Sequence, residues 1–408
     1  LSLGTLALLP ADVRQTLLKL FGSGLLFWSS LSCLFPILPL YLEDLGSTPF
    51  EIGFVMAGFG MGVLVFRPSL GRLSDLRSRK LALLIGMVAI TIAPLGYWLV
   101  KSIWLLLLIR IFHGISLAAF ASAYLMLVAD LTPAAHRAEI IGYMSLEQPL
   151  GLSLGPAIGG LLLEVTGYRT VFLLAAAFGI SAYLLASYIP DGQGEPQPEL
   201  AKNDRRFWRM LASRRVLVPA ITMLLVGMSI GNLHTFAAPY IRAMKVGLNP
   251  GLFFAAIAVT TFGIRFVAGM IGDRWGRGAF MTYGLAGSSL AMLLMGIAHS
   301  APLLLLAALL QGAGFGILVP TVAALAADRA GSRERGRVFS LCMMGFDIGM
   351  TLGGLLLGSL AEITGYRHLF GIAAGLIVLG LAIFMTCGAR NLQESWQFAL
   401  GRRCDPHD

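Results

Sequence analysis

Two carboxylates, an arginine and a histidine lie inside stretches otherwise built for hydrocarbon. Glu147 precedes Gln148-Pro149 and a glycine-rich run, and Asp347 lies within Gly345-Phe346-Asp347-Ile348-Gly349. Arg110 and His113 belong to Leu108-Ile109-Arg110-Ile111-Phe112-His113-Gly114. A carboxyl that alternates between dry and wet surroundings can take up and release a proton, and a histidine can do the same. An arginine keeps its charge and acts only on neighbours. Ionisable groups in such stretches are functional candidates, because burying them is costly unless protein or water receives them. Glu147, Asp347, Arg110 and His113 are therefore the candidates for proton coupling. No nucleophile stands beside a base, so an enzyme is not expected. Cys33, Cys342, Cys387 and Cys404 have no metal-ligand spacing and read as free thiols, so neither metal nor cofactor is expected.

The elements that must hold these residues follow from composition. Of 408 residues, 57% are hydrophobic and 12% charged, against about 25% charged in a typical soluble domain. Mean hydropathy is +0.80. A soluble core cannot absorb that much apolar surface, so membrane lipid is the expected solvent. The net charge of +9 sits in short loops between apolar runs. That pattern is a topology signal and gives no reason to expect nucleic acid. A spanning helix needs about 20 apolar residues. Twelve such runs begin near Leu17, Phe50, Leu81, Ser102, Ala138, Thr170, Val216, Pro250, Ala279, Ala301, Gly336 and His368. The first, Leu17 to Leu42, is too long for a signal-peptide core and is expected to span.

The expected organisation is an all-α membrane protein with 12 transmembrane helices. Residues 1–189 form the N-terminal six-helix half and 190–215 a cytoplasmic linker with Pro190, Pro196 and Pro198. Residues 216–389 form the C-terminal half and 390–408 a cytoplasmic tail. Of the 30 Lys and Arg, 22 fall in loops on the side of the termini and five on the opposite side. Positive charge marks the cytoplasmic face, so both termini and the linker are expected in the cytoplasm of a bacterial inner membrane.

The halves are copies. An offset of 198 carries Arg67, Gly71 and Asp75 to Arg265, Gly269 and Asp273, and Asp130 to Asp328. It also carries Glu164-Val165-Thr166-Gly167-Tyr168-Arg169 to Glu362-Ile363-Thr364-Gly365-Tyr366-Arg367. One register held this far is a tandem duplication. Each copy has a basic turn after its second span. The first runs from Gly71 through Asp75 to Arg79-Lys80, and the second from Gly269 through Asp273-Arg274 to Arg277-Gly278. Asp75 and Asp273 are expected to cap a neighbouring helix N-terminus and to pair with arginines across the seam between the halves, as a conformational switch whose pairs form in one state and break in another. Asp130 and Asp328 close spans 4 and 10, where they can receive arginines from the basic turns.

Twelve spans, a six-plus-six duplication and basic turns after spans 2 and 8 resemble the major facilitator superfamily. That family's loop motif, G-x-L-S/A-D-R-x-G-R-R/K, is matched by Gly71, Leu73, Ser74, Asp75, Arg79 and Lys80. Gly151, Gly155, Pro156, Gly159 and Gly160 are similar to its antiporter motif, G-x-x-x-G-P-x-x-G-G, which is associated with drug/proton efflux. Pro156 is expected to bend span 5, and the glycines to pack it across the pseudo-two-fold. Arg110 to Gly114 resembles R-x-x-Q-G with His113 where Gln is usual, and the implied role of Arg110 is to tune a nearby carboxylate.

The resemblance implies an alternating-access secondary transporter without cofactor, expected as a monomer that moves protons against a small-molecule substrate. Efflux of a small organic or amphipathic solute is the preferred function. An uptake symporter, a facilitator, a lipid transporter and a non-transporting receptor remain as alternatives. Trp28, Phe35, Asn232, His234, Phe236, Tyr240 and Phe315 are the candidate substrate-cavity residues.

Overall fold

The structure is a computed structural model. It describes residues 9–133, 136–191, 213–329, 335–389 and 391–402; side chains at 138, 266–275 and 336 fall outside the description. Among the described residues every regular element is a helix. The first copy supplies α1 (Ala11–Asp44), α2 (Pro49–Leu76), α3 (Arg79–Leu99), α4 (Ile103–Leu131), α5 (Arg137–Met144), α6 (Glu147–Thr166) and α7 (Tyr168–Ser187). The second supplies α8 (Arg214–Met244), α9 (Pro250–Trp275), α10 (Arg277–Ile297), α11 (Ala301–Arg329), α12 (Arg335–Thr364) and α13 (Tyr366–Cys387), followed by the short α14 (Leu392–Ala399). Among the described residues eleven helices, with α5 and α6 taken as one, are long and apolar enough to cross a bilayer. The apolar part of α9, Pro250–Arg265, is the shorter twelfth.

Local chemistry explains where helices begin. Ser78 starts α3 by accepting the Leu81 amide, and Asn249 starts α9 by accepting the Gly251 amide ahead of Pro250. The duplicated Thr-Gly-Tyr-Arg turns place Gly167 at φ 80° and Gly365 at φ 75°. An L side chain is strained at such angles, which accounts for glycine in both copies. Gly276, which takes the place of Ser78 in the second copy, has φ 80° as well.

The chain forms two compact units. One comprises residues 1–41 and 58–200, and the other residues 42–57 and 201–408. The end of α1, the turn after it and the start of α2 thus belong to the second unit. There Arg242 pairs with Glu43 and Asp44, and the Tyr366 hydroxyl donates to Glu43 at 3.3 Å. Gly53 lies against the Gly354 carbonyl, where a side chain would not fit.

Small residues hold each unit together. In the first, Gly62 meets the Ile111 carbonyl and Gly114 the Phe59 carbonyl, locking α2 to α4. In the second, Gly227 meets the Phe346 carbonyl, and Gly349 and Gly353 meet carbonyls of Leu224 and Met228, locking α8 to α12. Close backbone approach of this kind supplies van der Waals contact where lipid leaves no hydrophobic driving force between helices.

Candidate functional site

Glu147 stands at a break in span 5. The span divides at Ser145-Leu146 into α5 and α6, and Glu147 is the first residue of α6. Pro149 has no amide hydrogen to give the Ser145 carbonyl, so the helical ladder fails there and tightens, with the Leu146 amide reaching Tyr143. The expected bend at Pro156 is not where the span divides; α6 continues through that residue. Glu147 is 3% exposed. A Cβ at Gly24 would lie 2.6 Å from Glu147 Cγ and 2.9 Å from the Tyr124 hydroxyl, so α1, α4 and α6 converge on one point. Tyr124 donates to the Leu20 carbonyl at 3.3 Å, and its ring stacks on Phe120, which stacks on Phe27.

The glycines after Glu147 fix α6 to α1. Gly151 faces Trp28 Cβ and the Leu25 carbonyl, Gly155 faces Ser29, Ser32 and Cys33, and Gly159 faces Cys33. The Ser32 hydroxyl donates to the Gly151 carbonyl at 2.9 Å. The partner of Gly151, Gly155 and Gly159 is thus span 1 of the same half. Serines and a cysteine of α1 are small enough to admit the α6 backbone, whereas larger residues there would hold it off. In the second copy the residue equivalent to Glu147 is Gly345, whose α-carbon sits against the Ala220 carbonyl. That contact leaves no room for a carboxylate.

Arg110 and His113 form a separate cluster. Both are buried in α4, one turn apart. Arg110 Nη1 lies 3.3 Å from His113 Nδ1, the Tyr97 hydroxyl is 3.0 Å from the same nitrogen, and the guanidinium lies 4.7 Å from the Phe59 ring. Tyr97 and Phe59 carry no signal of their own in the sequence. The expectation that Arg110 tunes a nearby carboxylate is not met by Glu147 in this state. Tyr124, which touches Glu147, is 14 residues further along α4, about 21 Å at 1.5 Å per residue.

Each basic turn makes the same ion pair within its own copy. Arg79 pairs with Asp130 and bonds the Met126 carbonyl, while Arg277 pairs with Asp328 and bonds the Ala324 carbonyl. Asp75 does not cap α3. It is still in the last turn of α2 and is exposed. The acid at that helix start is Asp191, which accepts from the Ser78 hydroxyl at 2.5 Å and the Lys80 amide at 3.2 Å. Gly269, Asp273 and Arg274 lie in α9, and their side chains fall outside the described residues. Gly278 stands where the first copy has Lys80 because the Phe398 carbonyl of α14 rests on it. A Cβ at Gly71 would lie 3.9 Å from the Ser122 hydroxyl, an ordinary contact.

The other candidates divide between polar and packing roles. Asp347 is half-buried in α12. Phe236 and Tyr240 are core residues of the second unit, with the Tyr240 hydroxyl donating to the Met295 carbonyl at 2.9 Å. Their assignment to a substrate cavity does not fit that packing. Trp28 packs edge-on to Phe27 and Phe120. Phe35 packs partly buried in the core of the first unit. His234 lies beside Phe254, and Phe315 beside Phe346. Asn232 is fully buried with neither amide atom bonded, and so is Gln311, the residue equivalent to His113. Gln311 stands before Gly312, so the second copy carries the Q-G pair where the first has His113-Gly114.

Comparison with known proteins places this arrangement. A family profile described as Major Facilitator Superfamily matches residues 20–271 and 251–400. The chain is 26% identical over 394 residues to "Multidrug resistance protein MdtG" of Klebsiella pneumoniae (strain 342), covering 94% of this chain and 95% of that one. It is 24% identical over 383 residues to "Quinolone resistance protein NorA" of Staphylococcus aureus (strain MSSA476), covering 91% and 96%. The crystal structure of the nucleoside transporter NupG superposes with a TM-score of 0.78 at 15% identity, covering 92% of this chain and all of that one. A bacterial homolog of the human lysosomal transporter Spinster gives 0.77 at 16%, covering 96% and 99%. These two likenesses speak for the fold alone.

Proposed function

The chain belongs to the Major Facilitator Superfamily, and on that premise we propose that it exports a small organic or amphipathic solute in exchange for protons. It is a multi-pass membrane transporter, not an enzyme. What carries the export and coupling reading is the placement of Glu147. A buried carboxyl sits where span 5 breaks, against the one glycine of α1 that leaves room for it. Segments hinged at such a break can pass the carboxyl between wet and dry surroundings, which is what proton exchange requires. The relatives named for multidrug and quinolone resistance support the outward direction. Arg79–Asp130 and Arg277–Asp328 serve in this reading as matched braces at the basic turns, one per half.

Proteoliposomes test it. With an imposed pH gradient, wild-type protein should drive opposed proton and solute flux. Glu147→Gln should stop the gradient-driven flux and leave solute exchange at equal pH. If Glu147→Gln keeps full gradient-driven flux, the carboxyl is structural, and solute flux without proton movement would make the protein a facilitator.

A further inference from the structure

We infer that Arg110, His113 and Tyr97 form a subsite for a carboxylate borne by the transported solute. The inference rests on the transport reading above and is independent of proton coupling. Arg110 is 3% exposed, and His113 and Tyr97 are fully buried. Arg110 Nη1 lies 3.3 Å from His113 Nδ1, and the Tyr97 hydroxyl lies 3.0 Å from the same nitrogen.

Two buried polar atoms of the cluster are left without a partner, Arg110 Nε and His113 Nε2. Arg110 Nε is a donor. The residues touching the guanidinium, His113, Tyr97 and Phe59, are all neutral. Among the described residues no carboxylate pairs with Arg110. The helices packed around it explain why. The α3 helix contains no acid. In α2 the acids are Glu51, which bonds the Thr48 amide, and Asp75 in the last turn. The one acid of α4, Asp130, is taken by Arg79. The cluster thus lacks one negative charge and an acceptor for Arg110 Nε.

A buried cation without a counter-charge is costly, and the cost falls when an anion binds. A carboxylate supplies the missing charge and an acceptor oxygen for the Arg110 Nε–H. An amide would supply one acceptor and no charge, and an ammonium group would be repelled. In this state Phe59 covers the guanidinium with its ring, so Phe59 is the residue that an entering carboxylate displaces.

The test uses the purified full chain in detergent and matched probes: benzoate with benzamide, 1-naphthoate with 1-naphthamide, and indole-3-acetate with indole-3-acetamide. Binding is read by isothermal titration and by thermal shift. At least one acid should bind wild type tenfold or more tightly than its amide. Arg110→Gln should abolish that preference and Arg110→Lys retain part of it. Arg110→Gln alone should melt no lower than wild type, because it removes an uncompensated cation. No preference in any pair overturns the inference, as does the same preference in Arg110→Gln. Stabilisation by sodium chloride equal to that by the acids also overturns it, since the anion would then be a counter-ion. If Arg110→Gln does not fold, the wild-type comparisons and the Lys variant decide. Loss of proton-driven flux with the acid preference intact would fail the coupling reading alone, and the converse would fail this one alone.

Discussion

Gly155→Ala isolates the seam that holds Glu147 against span 1. A Cβ at this position would collide with the Ser32 hydroxyl and the Ser29 carbonyl and would lie 2.8 Å from the Cys33 amide nitrogen. Two of these atoms are backbone, so the clash cannot be relieved by a rotamer change. Ordinary contact requires α1 and α6 to separate by roughly an ångström. Overpacking of this kind costs about 1–3 kcal/mol. The control is Gly375→Ala, in the middle of α13, where a Cβ meets nothing within 4 Å. There alanine should be neutral, or stabilising by up to about 1 kcal/mol, through helix propensity. For a unit of roughly 200 residues, each kcal/mol moves the melting temperature by about 2–4 °C. Gly155→Ala should therefore melt about 2–12 °C below wild type, and Gly375→Ala at or above it. The measurement is thermal unfolding in one detergent, followed by intrinsic fluorescence. Equal melting of the two variants would show that the seam does not exclude a methyl group, and the account of how Glu147 is positioned would fall with it.

Further outcomes follow from other contacts. A double-mutant cycle of Arg79→Gln and Asp130→Asn should give a coupling energy of about 0.5–3 kcal/mol. The same cycle at Arg277 and Asp328 should give less, because that pair is more exposed, at 34% and 21% against 11% and 13%; zero coupling at both would refute the brace. Phe398→Ala should lower the melting temperature clearly, since its ring is 2% exposed and loss of a buried Phe costs about 3–5 kcal/mol. Trp396→Ala, at a side chain 47% exposed, should shift stability by no more than about 0.5 kcal/mol. A cysteine at Gln193, in a background freed of other cysteines, should label from the cytoplasmic side only; labelling from outside would reverse the orientation.

Much of the fold was legible because lipid imposes a length and a composition on every span. Twelve apolar runs and one offset were enough to place the copies and to match Arg79 with Arg277 and Asp130 with Asp328. Contacts between residues far apart in sequence were not legible. Asp191 caps α3 from a point 111 residues beyond Lys80, and nothing in a basic turn announces a partner at that distance. Tyr97 and Phe59 look like any other aromatic residues of a span until Arg110 is seen between them. Phe398 lies in a short polar tail that gives no hint that its carbonyl will land on Gly278. The break at Ser145 was hidden for another reason. Pro149 and Pro156 both lie in span 5, and only the hydrogen-bond ladder shows which of them ends a helix.

The differences between the copies are as informative as their likeness. What is doubled is mechanical: Arg79–Asp130 and Arg277–Asp328 make the same pair to the same carbonyl, and Gly167 and Gly365 turn the same corner. What is single is chargeable. Glu147 answers to Gly345, Arg110 to Ala308 and His113 to Gln311. In each case the second copy holds a neutral residue in the place of a titratable or cationic one. At Gly345 the reason is steric, since the Ala220 carbonyl occupies the space a side chain would need. A carrier whose halves must move alike needs matched braces in both. One charge-changing group is enough to couple that motion to protons, and a second at the equivalent place would add another burial cost. The second half has a chargeable residue of its own in Asp347, whose counterpart is Pro149, beside the buried amides of Asn232 and Gln311.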